Sequence, residues 1–233
     1  MYKYELHLHT AESSLCAVAT AKQQVQKYKE RGYQGIVVTD HFINGNSRAD
    51  ILHDHTRTDF DWHNTMKTVI EGYKNAKIEG DKIGLDVFFG WEFGPKCTGT
   101  DLLTYGLGPE FLLQNPYIHT LGLEQYSTLI RQNGGFITQA HPYRNREYIT
   151  NVGPVDPKYI DAVEIFNLSD PDINNEKAKK FAIENNLAMQ GGSDTHDTNH
   201  EFASGIILKE KAKNIHDIIK AIKNGTAEVI IPC

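Results

Sequence analysis

The sequence predicts an α/β fold in which strands and helices alternate around a barrel, and three observations carry that prediction. Short apolar runs alternate with helix-period segments from end to end, the pattern of βαβ units and a mostly parallel sheet. Several helical stretches are followed by a glycine that stops them, at Gly32, Gly80, Gly134 and Gly225. Five of the apolar runs lead directly into a histidine or a carboxylate, the residue types a barrel gathers where its strands end.

Taken in chain order, strands are expected over residues 4–8, 35–39, 86–91, 102–106, 135–139, 162–166, 187–190 and 204–208. Helices are expected over residues 21–31, 62–79, 123–133, 174–185 and 215–223. Seven or eight such strands in one domain point to a closed barrel rather than an open sheet. Residues 42–60 are polar, rich in His, Asp and Asn, and without a period, so they read as a long loop of the kind that tends to be functional. No repeat, low-complexity tract or linker marks a boundary, and residues 1–233 are expected to form a single domain.

A chain of 233 residues buries about three-quarters of its unfolded surface, so neither a disulfide nor a metal is needed to make a core. The cysteines, Cys16, Cys97 and Cys233, are odd in number and lack CxxC spacing, which argues against a disulfide framework and for a reducing cytoplasm. No apolar run has the length of a signal peptide or membrane span. A formal net charge of -6 disfavours a general nucleic-acid binder, which carries a basic stripe.

His7 and His9 sit two apart at the end of the first strand and so project from one face of it. Asp40 and His41 follow the second strand, Glu92 the third, His141 the run Phe-Ile-Thr-Gln-Ala, and Asp194 and His196 the run Met-Gln-Gly-Gly-Ser. A lone histidine is more often an ordinary residue than a ligand. Five strands ending alike make a metal site the better reading, with Zn, Mn and Fe all suited to imidazole plus carboxylate. A carboxylate such as Glu92 among histidines can bridge two cations, and such pairs clamp the attacking and leaving oxygens of an in-line displacement.

His7-Leu8-His9-Thr10, Thr39-Asp40-His41, Gly90-Trp91-Glu92, Ala140-His141-Pro142 and Gly192-Ser193-Asp194-Thr195-His196 together resemble the signature of the PHP (polymerase and histidinol phosphatase) superfamily. The order and approximate spacing agree over nearly the whole chain. The resemblance implies a distorted (β/α)7 TIM-like barrel, two or three divalent metal ions and phosphoesterase chemistry on a small phosphorylated substrate. By position, His7, His9, Glu92 and Asp194 would hold one metal. Glu92 and His141 would hold a second, and His41 and His196 a third. His196 or a third cation would stabilise the leaving oxygen.

Two positions depart from the family pattern. Asp101 opens the string Asp-Leu-Leu-Thr-Tyr-Gly where the family has a histidine, and a carboxylate there makes a harder site. His119 is the rival for that role, in a loop context that suggests a surface residue. After His9, Cys16 stands at the offset of a third-metal ligand, where a thiolate would bind Zn and a neutral thiol would be small buried packing. Glu12 is the oxygen alternative. Arg144, three residues past His141, has the fork for a phosphate and also suits a surface salt bridge. Glu164 and Asn167 are expected to support the ligands from behind. His53, His55, His63, His200 and His216 are expected in solvent or loops; His53 and His55, in the long loop, could touch substrate, though nothing in the sequence demands it.

The expected reaction is hydrolysis of a phosphate ester by a water that the metals activate. The alternatives are an amidohydrolase, disfavoured because no lysine occupies a strand end, a DNA 3′ exonuclease, disfavoured by the acidic charge, and a metal-binding module without catalysis.

Overall fold

The computed structural model describes residues 1–43, 46–52, 61–95, 100–147, 149 and 152–232. Among these, the strands are β1 (Tyr2–Leu8), β2 (Gly35–Val38), β3 (Asp86–Phe93), β4 (Leu102–Tyr105), β5 (Phe136–Gln139), β6 (Ala162–Asn167), β7 (Ala188–Gly192), β8 (Ile206–Leu208) and β9 (Glu228–Val229). They lie in one sheet in the order β7-β6-β5-β4-β3-β2-β1-β8-β9. The helices are α1 (Ala21–Glu30), α2 (Ala49–Leu52), α3 (Trp62–Val69), α4 (Glu71–Ile83), α5 (Pro109–Gln114), α6 (Leu123–Gln132), α7 (Asp172–Glu184) and α8 (Ile215–Lys223). The α/β barrel expected from the sequence is the architecture found.

Local chemistry explains the boundaries. Thr20 and Gln23 form a reciprocal capping box that starts α1. Asn214 accepts from the amides of His216 and Asp217 to start α8, whose Ile218, Ile219 and Ile222 turn into the core. All four residues of β2, Gly-Ile-Val-Val, are buried, as expected of a strand covered on both faces.

The continuous helix expected over residues 62–79 is instead two helices meeting at Ile70. Ser13 accounts for the break. Its hydroxyl donates to Thr68 O at 2.8 Å and accepts from Gly72 N at 2.9 Å, the carbonyl and amide that would otherwise pair in the helical ladder. A side chain inserted into that ladder bends or breaks a helix.

The sheet is less uniformly parallel than expected. Parallel pairing joins β1, β2 and β3, and again β5, β6 and β7, but β4 runs antiparallel to both β3 and β5. The start of β4 therefore lies on the rim where its neighbours end. The β8–β9 pair is also antiparallel and occupies the first half of β1, where Tyr2–Tyr4 face Leu208–Ile206.

The second half of β1 closes the barrel. His9 N donates to Thr195 O at 2.9 Å, and Asp194 N donates to His7 O at 2.7 Å. Below this seam the buried Glu5 carboxylate accepts from His7 N (2.8 Å), Ser193 N (2.9 Å) and Tyr28 OH (2.8 Å). No helix among the described residues is long and apolar enough to cross a membrane.

Candidate metal centre

The ends of β1, β2, β3, β5 and β7 bring seven of the expected side chains to one point. His7 Nε2 lies 3.3 Å from Glu92 Oε1 and 3.4 Å from Asp194 Oδ1. His9 Nε2 lies 3.2 Å from both Glu92 Oε2 and Asp194 Oδ1. His41 Nδ1 is 3.1 Å from Glu92 Oε2, and His141 Nε2 is 3.2 Å from Glu92 Oε1. His196 stands on the outer side, its ring stacked on that of His9 at 4.5 Å and its side chain 30 % exposed. Glu92 thus touches four imidazoles from the centre.

Three groups have atoms close enough to share a cation: His7, His9 and Asp194; His7, Glu92 and His141; and His9, His41 and His196. The grouping overlaps the one implied by family resemblance, with His7 and His9 each serving two groups. The chemistry fits divalent metals. Glu92 Oε2 is buried without a hydrogen-bond partner although two imidazole nitrogens face it, so its lone pairs point at a centre that no protein donor occupies. Such a buried carboxylate is costly unless a cation or a proton answers it.

Without metal, protons answer it. Burial opposes a charge on His9, but Asp194 and Glu92 overcome that opposition and raise its pKa to about 9. His7 is raised well above the ordinary imidazole range in the same way, against burial and by Asp194, Glu164 and Glu92. In Glu92 burial likewise opposes the charge, and the neighbouring imidazoles, His7 first, hold the carboxyl well below its usual range.

The clustered side chains are held from behind. His7 Nδ1 is 3.0 Å from Glu164 Oε1, while Glu164 Oε2 accepts from His141 N at 3.0 Å and from Asn167 Nδ2 at 2.8 Å. Gly192 makes room for this: a Cβ there would lie 2.2 Å from Glu164 Oε1. His141 and Asp194 both have positive φ, 27° and 53°, a conformation that costs about 1–3 kcal/mol at a residue with a side chain and that clusters at functional sites.

Arg144 is tied into the protein. It donates from Nε to Asp170 Oδ1 at 2.6 Å, from Nη1 to Asp194 Oδ2 at 2.7 Å and from Nη2 to Asn167 Oδ1 at 3.1 Å. The side chain is 12 % exposed, so it is a buried bridge and not a surface one.

The other candidates lie outside those three groups. Asp101, at the start of the reversed β4, is on the rim; burial first, then the charge on Glu92, raises its pKa to about 6. It belongs to none of the three groups, and neither do Cys16 and Glu12. Glu12 Oε2 accepts from Ala21 N at 2.8 Å, a contact that anchors α1. Cys16 is an exposed residue, yet desolvation of its thiol is the largest influence and the charges of Glu92 and Asp194 add to it, pushing the pKa up to about 12. His119 is not the surface residue expected: it is 1 % exposed, in a short 3-10 turn (Ile118–Thr120), with its ring stacked on Trp62 at 5.5 Å. His63 and His216 are exposed and His200 is half-buried. His53, His55, Cys97 and Cys233 lie outside the described residues.

Ser14 is the residue that sequence reasoning passed over. It is fully buried, 3.2 Å from His9 Nδ1, and its hydroxyl accepts from His41 N at 3.0 Å. A serine is not a ligand type, and only its offset of five from His9 hinted at it.

No curated protein matches the sequence. Solved structures with the same fold include a two-domain protein from Bacteroides vulgatus described as containing a predicted PHP-like metal-dependent phosphoesterase, with a TM-score of 0.71 at 14% identity. The alignment covers 99% of this chain and 64% of that one, so the chain spans under two-thirds of that relative. PsfC of Pseudomonas syringae gives a TM-score of 0.65 at 16% identity, covering 100% of this chain and 92% of that one. An amidohydrolase of Chromobacterium violaceum with bound sulfate gives 0.60 at 14% identity, covering 100% and 99%. At these identities the likeness is one of fold. The PHP domain family, however, matches residues 5–228, a span that holds all seven of the clustered side chains, and the chain belongs to that family.

Proposed function

We propose that the protein is a metal-dependent phosphoesterase acting on a small phosphorylated substrate at the rim where His7, His9, His41, Glu92, His141, Asp194 and His196 meet. One observation carries the reading: four imidazoles surround a buried carboxylate, one of whose oxygens has no hydrogen-bond partner. His7, His9 and Asp194 with Glu92 would hold one divalent ion, Glu92 and His141 a second, and His41 and His196 a third. When bound, such ions lower the pKa of water and neutralise phosphate oxygens, which is the chemistry an in-line displacement needs.

The side chains prepare that chemistry. Glu164 orients His7 so that Nε2 faces inward. Arg144 fixes Asp194 through Nη1, and the second N–H groups of Nη1 and Nη2 are what it can offer a phosphate oxygen. His196 Nδ1 lies 2.9 Å from the carbonyl oxygen of Asp194 and donates to it, so Nε2 carries the lone pair. That arrangement supports His196 as a ligand or proton acceptor at the solvent side of the cluster, in preference to a proton donor to the leaving oxygen.

The test is a panel of phosphomonoesters and phosphodiesters with purified protein loaded separately with Zn2+, Mn2+ and Fe2+. Phosphate release that is lost on chelation and in Glu92→Gln supports the reading. Metal uptake without turnover of any phosphoester, or turnover of N-acyl substrates instead, overturns it.

A further inference from the structure

We infer that Ser14 is a positioning residue that selects the nitrogen with which His9 faces the metals. The inference rests on the metal-centre reading above and adds to it a residue that is neither a ligand nor in contact with substrate.

The argument is a count of protons. A serine hydroxyl has one hydrogen to give and two lone pairs with which to accept. Ser14 Oγ has three polar neighbours: Asp40 Oδ1 at 2.7 Å, the His41 amide at 3.0 Å and His9 Nδ1 at 3.2 Å. Asp40 also accepts from Thr10 N at 2.6 Å and Thr10 Oγ1 at 2.7 Å, so its carboxylate is an acceptor on both oxygens. The one hydroxyl hydrogen of Ser14 therefore goes to Asp40. The His41 amide can only donate, and takes one lone pair. What remains for His9 Nδ1 is the other lone pair, so Nδ1 must donate and Nε2 is the nitrogen left to give up its hydrogen to a metal. Nε2 is the atom that faces Glu92, Asp194 and His7, the last at 3.2 Å between the two Nε2 atoms.

The support cannot drift. Gly72, at the start of α4, backs Asp40 and Thr10 so closely that a Cβ would lie 2.3 Å from Asp40 Oδ2 and 1.9 Å from Thr10 Oγ1. Ser14 N donates to Thr10 O at 2.9 Å, and Ser14 bridges to Ser47. One hydroxyl thus holds ring and backbone of two candidate ligands, His9 from β1 and His41 from β2. It does for His9 what Glu164 does for His7, with Asp40 supplying the negative charge one atom further back.

The experiment compares wild type, Ser14→Ala and Ser14→Cys, the last keeping the volume of the side chain while weakening the hydrogen bond. Zn2+ affinity is measured by competition calorimetry. In parallel, 15N-histidine NMR of the Zn2+-loaded wild type reads which His9 nitrogen carries a hydrogen. Loss of a group that orients a metal-bound histidine lowers affinity by about 10–100-fold, and both variants are expected in that range. The wild-type spectrum is expected to show a His9 Nδ1–H protected from exchange and a metal-bound Nε2. A wild type that binds Zn2+ through His9 Nδ1 overturns the inference without any variant. Unchanged affinity in folded Ser14→Ala or Ser14→Cys overturns it as well and leaves the metal centre standing. A wild type that takes up no Zn2+ overturns the metal centre and this inference with it.

Discussion

Arg144 Nη1 donates to Asp194 Oδ2 at 2.7 Å while Nε of the same guanidinium donates to Asp170 Oδ1 at 2.6 Å, so one cation spans two buried carboxylates. Each of those carboxylates is only 2 % exposed. Removing one partner of a buried ion pair leaves an uncompensated charge and costs about 3–5 kcal/mol. Arg144→Ala is expected to lose stability in that range, read as a lower Tm and denaturation midpoint. Arg144→Lys keeps the charge but lacks the planar fork. It should recover part of the stability and still bind Zn2+ more weakly than wild type. Wild-type metal affinity in Arg144→Lys would show that the fork does not position Asp194.

The metal-free protein is expected to lose stability as pH rises from about 6.5 to about 9. His9 has a folded pKa raised to about 9, above the ordinary imidazole value of 6.5, by Asp194 and Glu92 acting against burial. A raised folded pKa contributes stability that is complete below the unfolded value and lost as pH climbs through the folded one. The raised pKa of His7 acts in the same direction. On the acid side the raised carboxyls of Glu5, Asp40 and Asp101 oppose the lowered imidazoles of His41 and His196, so the alkaline limb is where the sign is read. Thermal melts of chelated and Zn2+-loaded protein check this. The loaded form should be flat over the same interval, and a chelated form as flat as the loaded one contradicts it.

Gly192→Ala is expected to weaken the centre without altering a ligand. The added methyl would lie 2.2 Å from Glu164 Oε1 and 2.6 Å from His7 Cβ, so Glu164 must withdraw from His7 Nδ1. Overpacking of this kind costs about 1–3 kcal/mol. A drop in Zn2+ affinity of about 10–100-fold should accompany it, measured by the same competition titration. Full affinity together with a lowered Tm would mean that the strain is absorbed elsewhere.

Cys16 is expected to be slow to alkylate although it is exposed. Desolvation of the thiol and the charges of Glu92 and Asp194 push it up to about 12, and the thiolate is the reactive form. Peptide-resolved mass spectrometry during iodoacetamide labelling at pH 8 measures the rate. Labelling as fast as a free cysteine in a denatured control refutes the expectation.

The gathering of these side chains was legible because imidazole and carboxylate are rare enough at strand ends for five coincidences to mean something. The direction of β4 was not legible: an apolar run such as Leu-Leu-Thr-Tyr has the same pattern whichever way it crosses the sheet. The break at Ile70 was hidden because it depends on Ser13, which is distant in sequence and carries no helix signal. His119 was misjudged for a related reason, since stacking on Trp62 is a tertiary fact that loop composition does not encode. The buried ion pairs of Arg144 were not legible because its acidic partners, Asp170 and Asp194, come from other segments.

The seam between β1 and β7 has a consequence for how the chain comes to be functional. Glu5 and Ser193, which clasp each other across it, are 188 residues apart in sequence. His7 and His9 therefore emerge from the ribosome early and wait for Asp194, without which their cluster lacks one of its two central carboxylates. Closing so long a loop costs chain entropy before the contact returns anything, which makes such pairing slow. A chain ending before β7 would carry His7, His9, His41, Glu92 and His141 but neither Asp194 nor His196. β7, which leads into Asp194, is thus the strand that completes the cluster, and a barrel without it would present the histidines to a single central carboxylate.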